Sequence, residues 1–198
     1  MKARKATIKR KTSETNIQID LVVDGKGSST VDTQIPFLDH MLTLLAKHGL
    51  FDLKIKARGD LEVDIHHTNE DIGIALGQAL AKALGDKKGI RRYGSFAVPM
   101  DEALIRVTLD ISGRPSLYVS KAQGVRLSRQ PKYTFDDAVD FLRSFCQNAG
   151  INMHLGVLAG EDTHHIIEGM FKGIAKTLDM ATCLDPRVRG IPSTKGKL

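Results

Sequence analysis

The chain has no tryptophan, only 5% aromatic residues and just two cysteines among its 198 residues. So few rings cannot make the stacking platform on which single-stranded RNA binders depend. Cys146 and Cys183 lie far apart with no Cys-x-x-Cys spacing, so a zinc ribbon and a disulfide framework are both excluded, and the two read as buried thiols. No segment approaches the roughly 18 consecutive apolar residues of a membrane span. The basic start MKARKATIKRK leads into no apolar run of a secretion signal, so a cytoplasmic protein without a membrane partner is expected. No GxxxxGK[ST] string precedes the tail Pro192-Ser193-Thr194-Lys195-Gly196-Lys197, which rules out a P-loop. What is present is 41% hydrophobic residues, enough for a proper core, and a net charge of +6 with pI near 9.3. That charge suits a nucleic acid or a small anionic substrate.

Histidine is where the chemistry concentrates. Four of the seven lie in two similar strings, Ile65–Glu70 (IHHTNE) and Thr163–Glu168 (THHIIE). If each string opens a helix, His66 and Glu70 share one face, as do His164 and Glu168, because i and i+4 are neighbours on a helix surface. The second histidine of each pair, His67 or His165, points about 100° further round and belongs to a different ion. Two such helices facing one another would bind two ions with their roles exchanged. The runs Asn69-Glu70-Asp71 and Gly160-Glu161-Asp162 also suit helix starts, where acidic groups favour the dipole.

The order of elements occurs twice. Alternation through Thr7–Val23, with Ile17, Ile19 and Leu21 on one side, predicts strand, and Asp24-Gly25-Lys26-Gly27 a turn. A helix is predicted from Pro36 to a terminating Gly49, strands over Phe51–Ala57 and Leu61–Ile65, and a helix after the first His pair carrying Ile72, Leu76, Leu80 and Leu84, capped by Gly85. Glu14 maps on Glu102 with an offset of 88, Gly49 on Gly150 with 101, and His66 on His164 with 98. The fold class is therefore α/β, an α+β sandwich made by internal duplication. Each half is a mostly antiparallel sheet covered by two helices that follow its strands, and the halves pack on each other. The first repeat covers residues 1–90 and the second, with the basic tail, 91–198, the boundary falling near Lys88–Gly94.

Of the other histidines, the offset of 101 pairs His40 with Phe141 and His154 with Leu53, so each half has gained a different extra imidazole. One extra imidazole per ion gives two sets: His40, His67, His164 and Glu168, and His66, Glu70, His154 and His165. Nitrogen and oxygen ligands without thiolate suit manganese, zinc, iron or cobalt, and four protein ligands on an octahedral ion leave two positions open. Arg91-Arg92, Arg114, Lys172 and the tail supply guanidinium, ammonium and hydroxyl donors for phosphate. Together these favour a small phosphorylated substrate over nucleic acid.

The strings Phe37-Leu38-Asp39-His40-Met41, Asp64-Ile65-His66-His67-Thr68-Asn69-Glu70-Asp71, Met100-Asp101-Glu102-Ala103-Leu104, Ser112-Gly113-Arg114-Pro115 and His164-His165-Ile166-Ile167-Glu168 closely resemble the imidazoleglycerol-phosphate dehydratase family. The likeness spans nearly the whole chain. It implies loss of water from imidazole glycerol phosphate to give imidazole acetol phosphate in histidine biosynthesis, through a metal-bound imidazolate. It implies two Mn(II) ions per site on the two ligand sets, halves like ribosomal S5 domain 2, and a 24-subunit homo-oligomer built from trimers with active sites between subunits. By the same resemblance Glu14 is the acid/base supplied by a neighbouring subunit. His48, Arg92, Arg114, Lys172, Ser193 and Lys195 contact substrate and its phosphate. Leu44 departs from the pattern, since relatives can carry glutamine there, and no fused phosphatase domain is expected. Two other readings are a basic RNA-associated protein on an S5-like half-fold, which predicts salt-sensitive RNA binding indifferent to chelators, and a dinuclear metallohydrolase, which predicts free phosphate as product.

Overall fold

A computed structural model describes residues 3–128 and 132–198. The first half runs β1 (Lys5–Lys11), β2 (Thr15–Val22), β3 (Ser29–Asp32), α1 (Pro36–Gly49), β4 (Asp52–Gly59) and α2 (His66–Leu84). The second runs β5 (Tyr93–Met100), β6 (Ala103–Asp110), β7 (Ser116–Lys121), α3 (Phe135–Ala149), β8 (Asn152–Ala159) and α4 (Thr163–Thr182). The two sheets have the same topology, β1-β2-β4-β3 and β5-β6-β8-β7. Each alternates as a one-face-buried sheet should: Ile17, Ile19 and Leu21 of β2 and Ile105, Val107 and Leu109 of β6 are buried, while the residues between them face outward. The duplication read from the offsets is thus an architectural one, an α+β fold of two four-stranded mixed sheets.

Three local expectations are corrected. Leu61–Ile65 is not a strand: Val63 N–H donates to the Asp60 carbonyl in a turn, and the Asp64 carboxylate takes the His66 amide, so the apolar letters lead the chain into α2. The helices do not both follow the strands, because α1 and α3 are crossovers that bring β3 beside β4 and β7 beside β8 in parallel. Cys146 is buried, and burial pushes its thiol up to about 12, but Cys183 is exposed.

A fourth correction concerns register. Gly49 ends α1, yet the left-handed cap residue is Leu50 (φ 58°), matched in the second half by Gly150 (φ 68°). Gly49 is glycine because a Cβ there would meet the Phe51 ring at 2.5 Å. The offset in this region is therefore 100, as the hydrogen bonds Phe51 N to Ala46 O and Ile151 N to Cys146 O repeat. His154 then corresponds to Lys54, which pairs with Asp20 as His154 pairs with Thr108, and His40 corresponds to Asp140. A slip of one residue reverses the face of a strand. Buried Leu53 could not have shown that His154 points outward.

One face of each sheet lies on helices, and the halves join through helix crossings, α2 against α3 and α1 against α4. Leu21, Leu53, Leu45, Leu76, Phe145 and Leu178 of both halves meet in one core. No helix among the described residues is long and apolar enough to cross a membrane.

Candidate active site at the helix entrances

At the start of α4, the Asp162 carboxylate accepts the His164 amide at 2.8 Å. Helical spacing then puts His164 Nε2 3.4 Å from Glu168 Oε2, and α1 delivers His40 Nε2 to the same oxygen at 3.3 Å. The three ligand atoms lie within 4.8 Å of one another. Bonds of about 2.1 Å to a common ion place adjacent ligand atoms roughly 3 Å apart, so this triad fits a divalent cation. Glu168 is buried, which raises its pKa, but Lys172 Nζ at 2.6 Å from Oε1, together with His40, holds it below the ordinary value. His48 lies in the last turn of α1. Its pKa is lowered by burial and then by the Lys172 and Lys176 cations, so it stands as a neutral imidazole beside an ammonium group.

The start of α2 repeats the local design. Asp64 takes the His66 amide at 2.8 Å, and His66 Nε2 lies 3.7 Å from Glu70 Oε2. His67 turns away from them to bond Asp60 Oδ2 through Nδ1 at 2.9 Å, with Glu14 Oε2 at 3.9 Å from the same nitrogen. The Asp60 hydrogen bond raises the His67 pKa, and Glu14 adds to it. On α4, His165 Nδ1 meets Glu102 Oε2 at 2.7 Å, which raises the imidazole pKa in the same way. Glu102 itself is held down to about 2, by the Asp162 amide first and by His165 and the Glu161 amide after it.

The two entrances are linked by an aromatic brace. Tyr133 O–H donates to Asn69 Oδ1 at 2.9 Å, its ring stacks on Phe37 at 5.3 Å, and Phe37 meets His164 edge-on at 5.1 Å. Within one protomer the first expected ligand set is therefore present as His40, His164 and Glu168, while His67 sits across this brace. Of the second set, His66 and Glu70 stand together, His165 stands with Glu102, and His154 lies on the outer face of its sheet. There it stacks on Tyr118 at 4.6 Å in a concavity of about 470 Å³ with Arg106 and Thr108.

The basic candidates divide likewise. Lys172 belongs to the Glu168 group. Arg92 grips Asp110 with two nitrogens (2.7 and 3.0 Å), donates to the Pro192 carbonyl at 2.8 Å, and bonds by its amide to Ala181 at the end of α4. It therefore holds the tail that carries Ser193 and Lys195, whose Lys195 amide donates to Ser193 Oγ at 3.1 Å. Arg114 follows Gly113, against which the terminal Leu198 packs. At about 1.5 Å per residue along α4, this end of the molecule is roughly 25 Å from His164. Leu44 is half-buried against the core.

Sequence reasoning missed Asp60, Glu102, Asp71 and Tyr133. Glu102 had a signal, being the duplicate of Glu14 in the turn before β6. Asp71 seemed a helix-start acid, but it is buried, accepting Arg10 Nε at 2.9 Å and Thr15 Oγ at 2.5 Å. Through Thr15 and Thr12 it pins the turn that presents Glu14, whose amide donates to Thr12 Oγ at 3.1 Å. Asp162 does serve as the cap read from the sequence.

Comparison with known proteins bears on the family and the fold. The sequence model of the family "Imidazoleglycerol-phosphate dehydratase" matches residues 33–178. Relatives of that name include one from Caldanaerobacter subterraneus subsp. tengcongensis, 56% identical and covering 98% of this chain and 100% of the relative. Another, from Geobacter metallireducens, is 53% identical over 99% and 100%. Among solved structures, imidazoleglycerol-phosphate dehydratase from Staphylococcus aureus superposes with a TM-score of 0.78 at 36% identity, covering 91% of this chain and 100% of that one. The Pyrococcus furiosus protein, in complex with (S)-C348, gives 0.81 at 35% identity, covering 96% and 100%.

Proposed function

The chain belongs to the imidazoleglycerol-phosphate dehydratase family and is a dehydratase of histidine biosynthesis, and on that footing we propose that it acts in the cytoplasm as a two-metal enzyme completed between subunits. The reaction converts imidazole glycerol phosphate, a small phosphorylated imidazole, to imidazole acetol phosphate and water. The observation that carries the metal reading is the convergence of His40, His164 and Glu168 on one point. Two Mn(II) ions would be held, one by His40, His67, His164 and Glu168 and the other by His66, Glu70, His154 and His165. Imidazole and carboxylate ligands without thiolate suit that metal. Such ions would supply the Lewis acidity that allows an imidazole ring to carry negative charge as imidazolate.

A homo-oligomer, the 24-mer of trimers that the family resemblance implies, is the assembly we propose, and the separation of the candidate residues within one chain supports it. His67 stands across the Phe37–Tyr133 brace from the triad, His154 faces outward, and Arg92 is roughly 25 Å from His164 by the length of α4. On this reading neighbouring copies bring these groups to one substrate. In the assembled site, Arg92, Arg114, Lys172, Ser193 and Lys195 would anchor the phosphate, which fixes the carbon chain for reaction. His48, neutral, would donate a hydrogen bond without adding charge. The hydroxyl on the carbon next to the ring leaves as water, and the neighbouring carbon loses its hydrogen. The resulting enol takes a proton on the carbon next to the ring and gives up its O–H proton, leaving the ketone. Glu14, exposed on its pinned turn, is the group that moves these protons.

The test is elemental analysis of the purified protein together with turnover of imidazole glycerol phosphate before and after chelation. Two manganese per chain, loss of activity on chelation, recovery on adding Mn(II), and a product that retains its phosphate are expected. Turnover indifferent to chelation would remove the metals from the mechanism, and release of free phosphate would indicate hydrolysis instead.

A further inference from the structure

We propose that Glu102 is a positioning residue that fixes His165 in the one tautomer able to bind a metal through Nε2, an assignment that rests on the two-metal reading above. Glu102 occupies the two-residue turn between β5 and β6. Its two oxygens have separate tasks. Oε1 accepts the amides of Glu161 (3.1 Å) and Asp162 (2.8 Å), and Oε2 lies 2.7 Å from His165 Nδ1. A carboxylate has no hydrogen to give, so the short contact requires Nδ1 to carry the proton. In the neutral ring, the form that binds a metal, the lone pair is then on Nε2. Asp101 Oδ2 stands 3.6 Å from that nitrogen, beyond hydrogen-bonding distance, so it does not tie Nε2 up. Metal-binding imidazoles are commonly fixed in this way by an acceptor on the other nitrogen.

The duplication explains why this carboxylate is where it is. Glu102 is the offset-88 twin of Glu14, each sitting just before the second strand of its half. In the first half Asp60 has taken the Nδ1 of His67 at 2.9 Å, and Glu14 is left at 3.9 Å. In the second half Glu102 does that work itself. One ancestral turn carboxylate thus holds an imidazole in one copy and is released for proton transfer in the other.

Mn(II) titration of the assembled protein, read by calorimetry, separates this role from simple support of the α4 entrance. Glu102→Gln keeps the shape but offers one acceptor and one donor. With its oxygen on the two amides, its NH2 forces Nδ1 to accept and drives the proton onto Nε2. Turned round, its NH2 faces two N–H groups. Glu102→Ala leaves water free to serve either partner. We therefore expect Gln to weaken one of the two ions by about 10- to 100-fold, and Ala to weaken it less. Support alone predicts the reverse order, since Gln keeps an acceptor for the amides and Ala keeps none. Equal or smaller loss in Gln than in Ala overturns the assignment. His165→Ala is the reference: if it loses one ion while Glu102→Gln loses none, only the role of Glu102 fails. If the wild-type protein takes up no Mn(II), the two-metal reading fails, and this assignment with it.

Discussion

Gly77→Ala tests how the two halves are joined. Gly77 lies in α2 where that helix crosses α3, and a Cβ there would stand 2.5 Å from the Phe145 carbonyl oxygen and 2.9 Å from both the Ala149 amide nitrogen and the Asn148 Cβ. Ordinary C···O approaches begin near 3.3 Å. The first two obstacles are backbone, so the helices must part locally by about 0.8 Å. A gap of that size forfeits a quarter to a half of each dispersion contact across it, and Leu76, Leu80 and Phe145 lie at this junction. Overpacking against backbone, which cannot turn aside, belongs in the upper part of the usual range, about 2–3 kcal/mol, while alanine returns about 1 kcal/mol through helix propensity. The net loss should be about 1–2 kcal/mol, or roughly 2–8 °C in Tm for a chain of this size. Gly73→Ala, whose Cβ would meet the Phe141 carbonyl at 2.6 Å, opens the same crossing one turn earlier, so the double variant should lose less than the two singles together. Because α2 also carries His66, His67 and Glu70, Mn(II) affinity should fall alongside Tm. Calorimetry of the purified protein decides it: an unchanged or higher Tm in Gly77→Ala would mean that the close crossing does not limit stability.

Other substitutions probe the site and its supports. Glu14→Gln should reduce kcat by about 10²–10⁴-fold with metal content unchanged, and turnover near wild type would take Glu14 out of the proton path. Tyr133→Phe leaves the buried Asn69 oxygen without its donor and should cost about 1–3 kcal/mol in denaturant unfolding; no measurable change would dismiss the brace as a support. The Lys26 and Ser28 amides on Asp52 hold its pKa below the ordinary 3.8. Its stabilising contribution is therefore present above about pH 3.8 and lost as pH falls through the lowered value. Asp52→Asn should flatten the decline in urea midpoint as pH falls from about 4 to about 2, and an identical decline in both proteins would refute the assignment.

Much of this architecture was legible because its signals are local. The alternation of Ile17, Ile19 and Leu21, the Pro36 start of α1 and the spacing from Ile72 to Leu84 each depend on residues within a few turns of one another. The pairing of His164 with Glu168 is of the same kind, since helix geometry alone sets it. The Leu61–Ile65 turn was not legible, because the alternation of Leu61, Val63 and Ile65 with Glu62 and Asp64 fits a strand equally well until a neighbour is found to be missing. Parallel pairing of β3 with β4 was hidden for a related reason: Ser29–Asp32 is too short to announce itself, and its partner lies beyond a whole helix.

The outward aim of His154 was lost through a single residue. A left-handed cap usually takes glycine, which points to Gly49 as the counterpart of Gly150, yet it is Leu50 that adopts that conformation, and Gly49 is there to clear the Phe51 ring. On a strand, that one step exchanges core for surface, and with it a buried Leu53 counterpart for an exposed Lys54. The consequence is functional. An imidazole on the helix-covered face could have joined a site inside its own chain, whereas under the proposed two-metal reading one stacked on Tyr118 at the outer face would join an ion shared with another copy. On that reading, register in β8 decides whether the proposed second ligand set would be assembled by one subunit or by several.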